Sequence, residues 1–255
     1  RLGGPARAKI LDTAADLIER DRSKLMAVLV REAGRTVPNA LAEVRETADF
    51  LRYYALQARK YFAEPLSLAS TTGETSTMDW RARGPFACIA PWNFPLAIFV
   101  GQTAAALAAG NPVLAKPAGQ TPVIGFLAIK LLHEAGVPPK VLHFLPGGGD
   151  VGAALVRDPR VKGVAFTGSN DTAWAIQKAL ADRRGAIIPF IAETGGINAM
   201  IADSSALPEQ VVRDAVRSAF DSAGQRCSAA RVLFLQDDIA GRTIPMLTGA
   251  IAALK

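Results

Sequence analysis

Cys227 stands in the segment Phe-Asp-Ser-Ala-Gly-Gln-Arg-Cys-Ser-Ala (220–229), just past a helical stretch and a Gly-Gln pair. A thiol attacks carbon only as the thiolate, which needs a nearby base or aligned backbone dipoles. Taken alone, such a cysteine is more often structural than reactive, so the residues elsewhere decide its reading. The second cysteine, Cys88, lies within the apolar run Phe-Ala-Cys-Ile-Ala (86–90) and reads as core. Asn93, in Ala-Pro-Trp-Asn-Phe-Pro (90–95), follows that run. Its amide suits a developing oxyanion, although the same residues also make an ordinary turn. Glu193, in Ala-Glu-Thr-Gly-Gly (192–196), ends another β-rich run and reads as a general base or as a helix cap. Thr167, Gly168 and Ser169 lie where a strand gives way to a helix, a place where backbone N–H groups hold phosphate. That short motif is a weak signal alone. Lys116, in Leu-Ala-Lys-Pro-Ala-Gly-Gln-Thr-Pro (114–122), suits ribose hydroxyls or phosphate and equally suits a solvated surface.

The elements that must position these residues alternate. Residues up to about 60 read as helices, with Ile10, Ala14, Leu17 and Ile18 on one face and Ser23 capping a second helix that ends at Gly34. A third helix follows Pro38, with Leu41, Val44, Ala48, Leu51 and Ala55 on its apolar side. Residues 65–84 turn to Ser, Thr and Gly with short alternating stretches, which predicts an extended hairpin of the kind that pairs between subunits. Strands are then expected at 86–90, 112–116, 141–145, 163–166 and 187–193, with helices near 96–109, 121–135, 151–157 and 169–183. This order predicts an α/β fold, a doubly wound parallel sheet of Rossmann type, with ligands beyond the carboxyl ends of the strands. Gly110, Gly136 and Gly168 fall at junctions that call for left-handed or tight backbone. A further strand at 198–202, a helix from Pro208 to Ala223, a strand at 231–235 and a helix at 239–254 begin a second α/β domain. The last helix meets the chain end without a stop signal, so that domain reads as incomplete. The boundaries expected are 1–64 for the helices, 65–84 for the hairpin, 85–195 for nucleotide binding and 196–255 for the nucleophile-bearing domain.

Composition narrows the classes. Half of the 255 residues are hydrophobic and a fifth are charged, which fits a folded domain with a large core. Lysine and arginine number 29 against 23 acids, but they are scattered, so nucleic-acid binding is not expected. Mild basicity suits a dinucleotide. Residues 95–109 are too short and too polar for a membrane span, no signal peptide is evident, and two dissimilar cysteines suit a reducing cytoplasm.

Pro-Trp-Asn-Phe-Pro, Lys-Pro-Ala followed by Gln-Thr-Pro, Phe-Thr-Gly-Ser, Glu-Thr-Gly-Gly and Gly-Gln-Arg-Cys occur in the order in which they occur in aldehyde dehydrogenases. On these motifs the sequence resembles that superfamily over nearly its whole length. Three further stretches are similar to the L-glutamate γ-semialdehyde (Δ1-pyrroline-5-carboxylate) dehydrogenase module of proline utilization A proteins: ETGGINAMI, DSSALPEQVV and SAFDSAGQRCSA. The resemblance implies NAD-dependent oxidation of an aldehyde to a carboxylate, with NADP as the alternative cofactor. It implies Cys227 as nucleophile, Asn93 with the Cys227 N–H as oxyanion donors, and Glu193 as the base for thioester hydrolysis. It places Lys116, Thr167, Gly168, Ser169, Trp92 and Pro91 at the cofactor, and Ser228 and Phe94 at the substrate. It also implies a homo-oligomer and a proline dehydrogenase domain in the same polypeptide.

The sequence departs from the family in places. Gly119 replaces a usual glutamate, and the loop at 145–152 is one residue short. The second half of the catalytic domain is missing, so this segment alone is expected to be inactive. Two other readings stand beside the main one. An acyl-phosphate or acyl-CoA reductase would also use a cysteine but would not need Glu193. A nucleotide-binding or scaffolding segment would bind without turnover.

Overall fold

The computed structural model describes residues 2–254, and its contacts form two compact units that meet in sequence between Glu193 and Thr194. The first unit opens with helices α1 (Gly4–Arg20), α2 (Arg22–Ala33) and α3 (Val37–Phe62). Ala14 and Ile18 are buried on α1 as the spacing predicts, but Ile10 and Leu17 are only half-buried, and Leu11 and Ala15 complete the buried face. Ser23 does not cap α2. That helix starts two residues earlier with Asp21 at the cap, whose N–H still bonds carbonyls of α1, so no extended residue is left for a side-chain cap. Gly34, left-handed at φ 65°, closes α2 through its N–H to the Leu29 carbonyl. Thr36 starts α3 by accepting the Asn39 N–H at 3.4 Å. Val44, Ala48, Leu51 and Ala55 are buried along α3, and Glu43 and Thr47 are buried on the same helix.

Strands β1 (Leu66–Leu68) and β2 (Ser76–Met78) pair antiparallel within the expected hairpin. The sheet that follows contains β3 (Phe86–Ile89), β4 (Val113–Lys116), β5 (Leu142–Phe144), β6 (Gly163–Gly168) and β7 (Phe190–Thr194), in the spatial order β5-β4-β3-β6-β7. The pairings of β3 with β4, β3 with β6 and β4 with β5 are parallel. Helices α4 (Ala97–Ala108), α5 (Pro122–Glu134), α6 (Gly149–Arg157) and α7 (Asn170–Ala181) connect them.

Side chains of β3 alternate between two cores, as the period of a strand requires. Phe86 and Cys88 join the large cluster built with α1, α3, α4 and α5. Ala87 and Ile89 join a second cluster containing Val156 and Ile176 from α6 and α7. A strand apolar on both faces is the mark of a sheet covered on both sides. Gly110 and Gly136 have φ of 85° and 109°, as expected of helix ends. Gly168 is different: it continues β6, and its need for a hydrogen is steric, because a Cβ would come within 2.5 Å of the Phe166 ring.

The second unit contains β8 (Asn198–Ala202), α8 (Pro208–Phe220), β9 (Ala230–Leu235) and α9 (Asp237–Ala252), with β8 and β9 parallel. Helix α8 stops at Phe220, short of the expected Ala223. Ser222 and Ala223 have φ of 56° and 53°, inside a tight turn over Asp221–Gly224. Left-handed residues cannot extend a right-handed helix. Among the described residues, no helix is long and apolar enough to cross a membrane.

Candidate functional site

From β3 the chain builds outward through β4 and β5, then returns to place β6 on the other side of β3. Such a reversal opens a crevice beyond the carboxyl ends of the two central strands. The Pro91–Pro95 turn leaves β3, Thr167 and Gly168 end β6 and Ser169 follows it, so both motifs lie at the carboxyl ends of these neighbouring strands. Asn93 and Pro91 are half-buried and Trp92 is exposed. The Phe94 ring lies under the Arg35 guanidinium, 4.2 Å from its centroid. Gln102 of α4 donates its amide to the Thr167 hydroxyl oxygen at 2.8 Å, tying the helix after β3 to the end of β6. Ser169 caps α7: its oxygen accepts the Thr172 N–H at 3.3 Å, and its hydroxyl donates to the Thr172 hydroxyl at 2.9 Å. That places Ser169 at the positive end of the α7 dipole.

Lys116 ends β4 opposite Ile89 of β3. Its stem is buried, and its ammonium donates to the carbonyls of Pro117 at 2.8 Å and Gly147 at 3.0 Å. Burial lowers its pKa, a shift that Asp150 partly opposes. Gly119 is exposed, and a Cβ there would meet only the Gly147 carbonyl, at 3.8 Å. A side chain fits at this position. Glu193 is exposed near the end of β7.

Cys227 belongs to the second unit, where it and Ser228 are the exposed central residues of a turn. The Ala229 N–H closes this turn on the Arg226 carbonyl at 3.2 Å. Asn198, the first residue of β8, donates its side-chain amide to the carbonyls of Cys227 at 2.6 Å and Ala229 at 3.0 Å. Arg226 pairs with Asp221 at 3.3 Å, and Arg231 donates to the Gly224 carbonyl at 2.9 Å. The Asn198 and Arg231 bonds grip the loop backbone, the Arg226–Asp221 pair joins two side chains, and the thiol takes part in none of them. Cys88 is the opposite case: it is fully buried, and burial pushes its thiol up to about 12.

The first unit thus gathers the Asn93 turn, Lys116 and the Thr167–Ser169 corner at the strand ends, while Cys227 and Ser228 sit on their own clamped turn. Sequence reasoning missed Asn198, Arg35 and Glu43. Glu43 did leave a signal, since it lies four residues from Thr47 on the core side of α3. Asn198 left only its place at the start of an otherwise apolar strand.

The chain matches the model of the aldehyde dehydrogenase family over residues 1–255. It is 59% identical over 250 residues to the bifunctional protein PutA of Escherichia coli (strain K12), a match covering 96% of this chain and 18% of that protein. It is 41% identical over 236 residues to the 1-pyrroline-5-carboxylate dehydrogenase of Anoxybacillus flavithermus, covering 91% of this chain and 46% of that one. The solved structure of 1-pyrroline-5-carboxylate dehydrogenase from Thermus with bound NAD superposes with a TM-score of 0.94 at 36% identity, over 99% of this chain and 50% of that one. The chain therefore spans half or less of the length of these relatives. With the motifs, the strand order and these matches in agreement, the chain belongs to the aldehyde dehydrogenase family.

Proposed function

We propose that the protein carrying this chain oxidises an aldehyde to a carboxylate through a cysteine thioester, with L-glutamate γ-semialdehyde of proline catabolism as substrate and L-glutamate as product. The observation that carries this reading is the Cys227 turn, which presents an exposed thiol on a backbone clamped by Asn198. Similarity to PutA and to 1-pyrroline-5-carboxylate dehydrogenases supports the substrate.

The residues at the strand ends fit a dinucleotide. Lys116 supplies an ammonium at the end of β4, held by two carbonyls, and Ser169 caps the helix that starts beside β6. Thr167 and Gly168 form the corner between them, and Pro91 and Trp92 line the turn after β3. Bound NAD supplies a hydride acceptor. The Cys227 thiol first releases its proton to solvent; the thiolate sulfur then forms a bond to the aldehyde carbon, and the former carbonyl oxygen becomes an oxyanion held by the Asn93 amide and the Cys227 N–H. As that oxyanion collapses to a thioester, the hydrogen on carbon leaves with its electron pair. Glu193 then takes a proton from water as the water attacks the thioester, which releases the carboxylate and restores the thiol. Ser228 meets the substrate carboxylate, and Phe94 packs on its aliphatic chain. The same reading gives the β1–β2 hairpin to a homo-oligomer, adds a proline dehydrogenase domain elsewhere in the polypeptide, and puts the protein in the cytoplasm.

Pre-steady-state NADH formation by the full-length protein tests the proposal. Cys227→Ala gives no NADH with the semialdehyde while still binding NAD. Glu193→Gln gives a burst stoichiometric with active sites and then slow turnover, because hydride transfer outlasts hydrolysis. Steady turnover by the Cys227 variant sinks the mechanism.

A further inference from the structure

Asn93 sits in a turn of two prolines and two aromatics, and the groups that hold this turn lie far away in sequence. At one end, the Ala90 N–H donates to the Lys116 carbonyl at 3.1 Å, continuing the β3–β4 ladder. At the other end, helix α4 begins with Leu96 at its cap position and draws no cap from that side chain. Its first N–H groups go instead to Glu43 of α3. One carboxylate oxygen accepts Leu96 N–H at 2.9 Å and Ala97 N–H at 3.4 Å. The other oxygen faces Arg35, with both Nε and Nη2 at 3.0 Å. The Arg35 guanidinium in turn covers the Phe94 ring, next to Asn93.

These groups are deeply buried, Glu43 at 1% exposure and Arg35 at 7%. A charged pair taken out of water is an expensive way to stabilise a core, and packed hydrophobic residues of similar volume often do as well or better. Burial raises the Glu43 pKa, against the opposing pull of Arg35 and of the two backbone donors. What the pair supplies that an apolar pair cannot is direction. A carboxylate with two oxygens facing different partners fixes the first turn of α4 and the Phe94 ring at once, on either side of Pro95.

We propose that the buried Arg35–Glu43 pair is a positioning device that sets the Pro91–Pro95 turn and so aims the Asn93 amide at the reacting carbonyl oxygen. This rests on the reading of Asn93 as an oxyanion donor. It makes the N-terminal helices a support for the catalytic turn, through a pair buried in the core.

A double-mutant cycle in the full-length protein tests it, read as kcat for semialdehyde oxidation alongside KM for NAD. Asn93→Ala lowers kcat by about 100-fold or more, the usual cost of an oxyanion donor. Glu43→Ala lowers kcat by about tenfold, with KM for NAD changed less than about twofold. In the Asn93→Ala background, Glu43→Ala adds less than about a twofold further loss, because the group it positions is gone. Glu43→Gln keeps an acceptor for Leu96 and Ala97 but loses the charge facing Arg35, and gives an intermediate kcat. If Glu43→Ala does not fold, Glu43→Gln and Arg35→Met complete the same cycle. Losses that multiply in the double variant, or a Glu43→Gln enzyme with wild-type kcat, overturn the positioning role. An Asn93→Ala enzyme with unchanged kcat overturns the oxyanion reading instead, so the two failures are distinct.

Discussion

Replacing Asn198 with alanine removes both side-chain hydrogen bonds that hold the Cys227 turn to β8, at 2.6 and 3.0 Å. Each such bond contributes about 0.5–1.5 kcal/mol net. The Cys227 carbonyl lies on the exposed side of the turn, where water replaces the lost donor, so the combined effect falls near the low end, about 1–2 kcal/mol. In population terms that is a factor of about 5–30 between the clamped turn and its relaxed forms. If only the clamped turn presents the thiol in register, kcat for aldehyde oxidation in the full-length protein falls by about the same factor, with NAD affinity unchanged. Asn198→Asp is the sharper variant. Its shape is kept, but a carboxylate cannot donate and meets two carbonyl oxygens, so its loss exceeds that of Asn198→Ala. The assays are single-turnover NADH formation and the rate of iodoacetamide labelling of Cys227. An Asn198→Asp protein with wild-type values in both would refute the clamp.

Three further outcomes follow from the same structure. In native protein, iodoacetamide at pH 8.5 labels Cys227 and spares Cys88; labelling of both thiols before unfolding contradicts the burial argument. Because burial lifts the Cys88 thiol from 9.0 to about 12, the folded chain keeps a proton that the unfolded chain releases. Its contribution is therefore complete below about pH 9 and falls by about 1.4 kcal/mol per pH unit up to about pH 12. Urea unfolding of Cys88→Ala should show a shallower alkaline decline than wild type, and parallel declines would disprove the assignment. Gly119→Glu places a carboxylate in open space beside the Gly147 carbonyl, near Lys116. It should shift the ratio of kcat/KM toward NAD over NADP by about 1–3 kcal/mol if the charge reaches the cofactor. An unchanged ratio leaves Gly119 a backbone feature.

The central strands β3 and β4 were legible because each is a short apolar run between turn formers, and burial on both faces makes such runs continuous, whereas β7, expected from residue 187, starts only at Phe190 and has exposed central residues. Cys88 was read as core for the same reason, and it is. The errors fall where local chemistry is overruled by neighbours. Ser23 has the right side chain for a cap, but α1 and α2 abut at Asp21, so Ser23 is already inside the helix. The run toward Ala223 keeps a helical composition, yet the chain turns left-handed at Ser222, two residues beyond the last of α8. Neither side chain carries a signal for that conformation. Gly168 was placed correctly as a constrained glycine for the wrong constraint, since the conflict is with the Phe166 ring and not with φ.

The candidate site was legible in its motifs and hidden in its supports, and the reason is physical. A residue that meets a ligand needs a particular functional group, so the residues proposed for that role, Asn93, Lys116 and Cys227, stand out by type and by their place at strand ends or turns. A residue that orients such a group needs a particular position in space, which local sequence does not encode. Glu43 precedes Leu96 by 53 residues, and Asn198 precedes Cys227 by 29. Each is an ordinary polar residue until the fold brings it to a backbone partner distant in sequence. What a sequence can offer is a contradiction: an acid on the buried side of an amphipathic helix, as Glu43 is on α3. A buried carboxylate must find donors to offset its desolvation. The uncapped first turn of α4 supplies such donors, just beyond the asparagine proposed to hold the oxyanion.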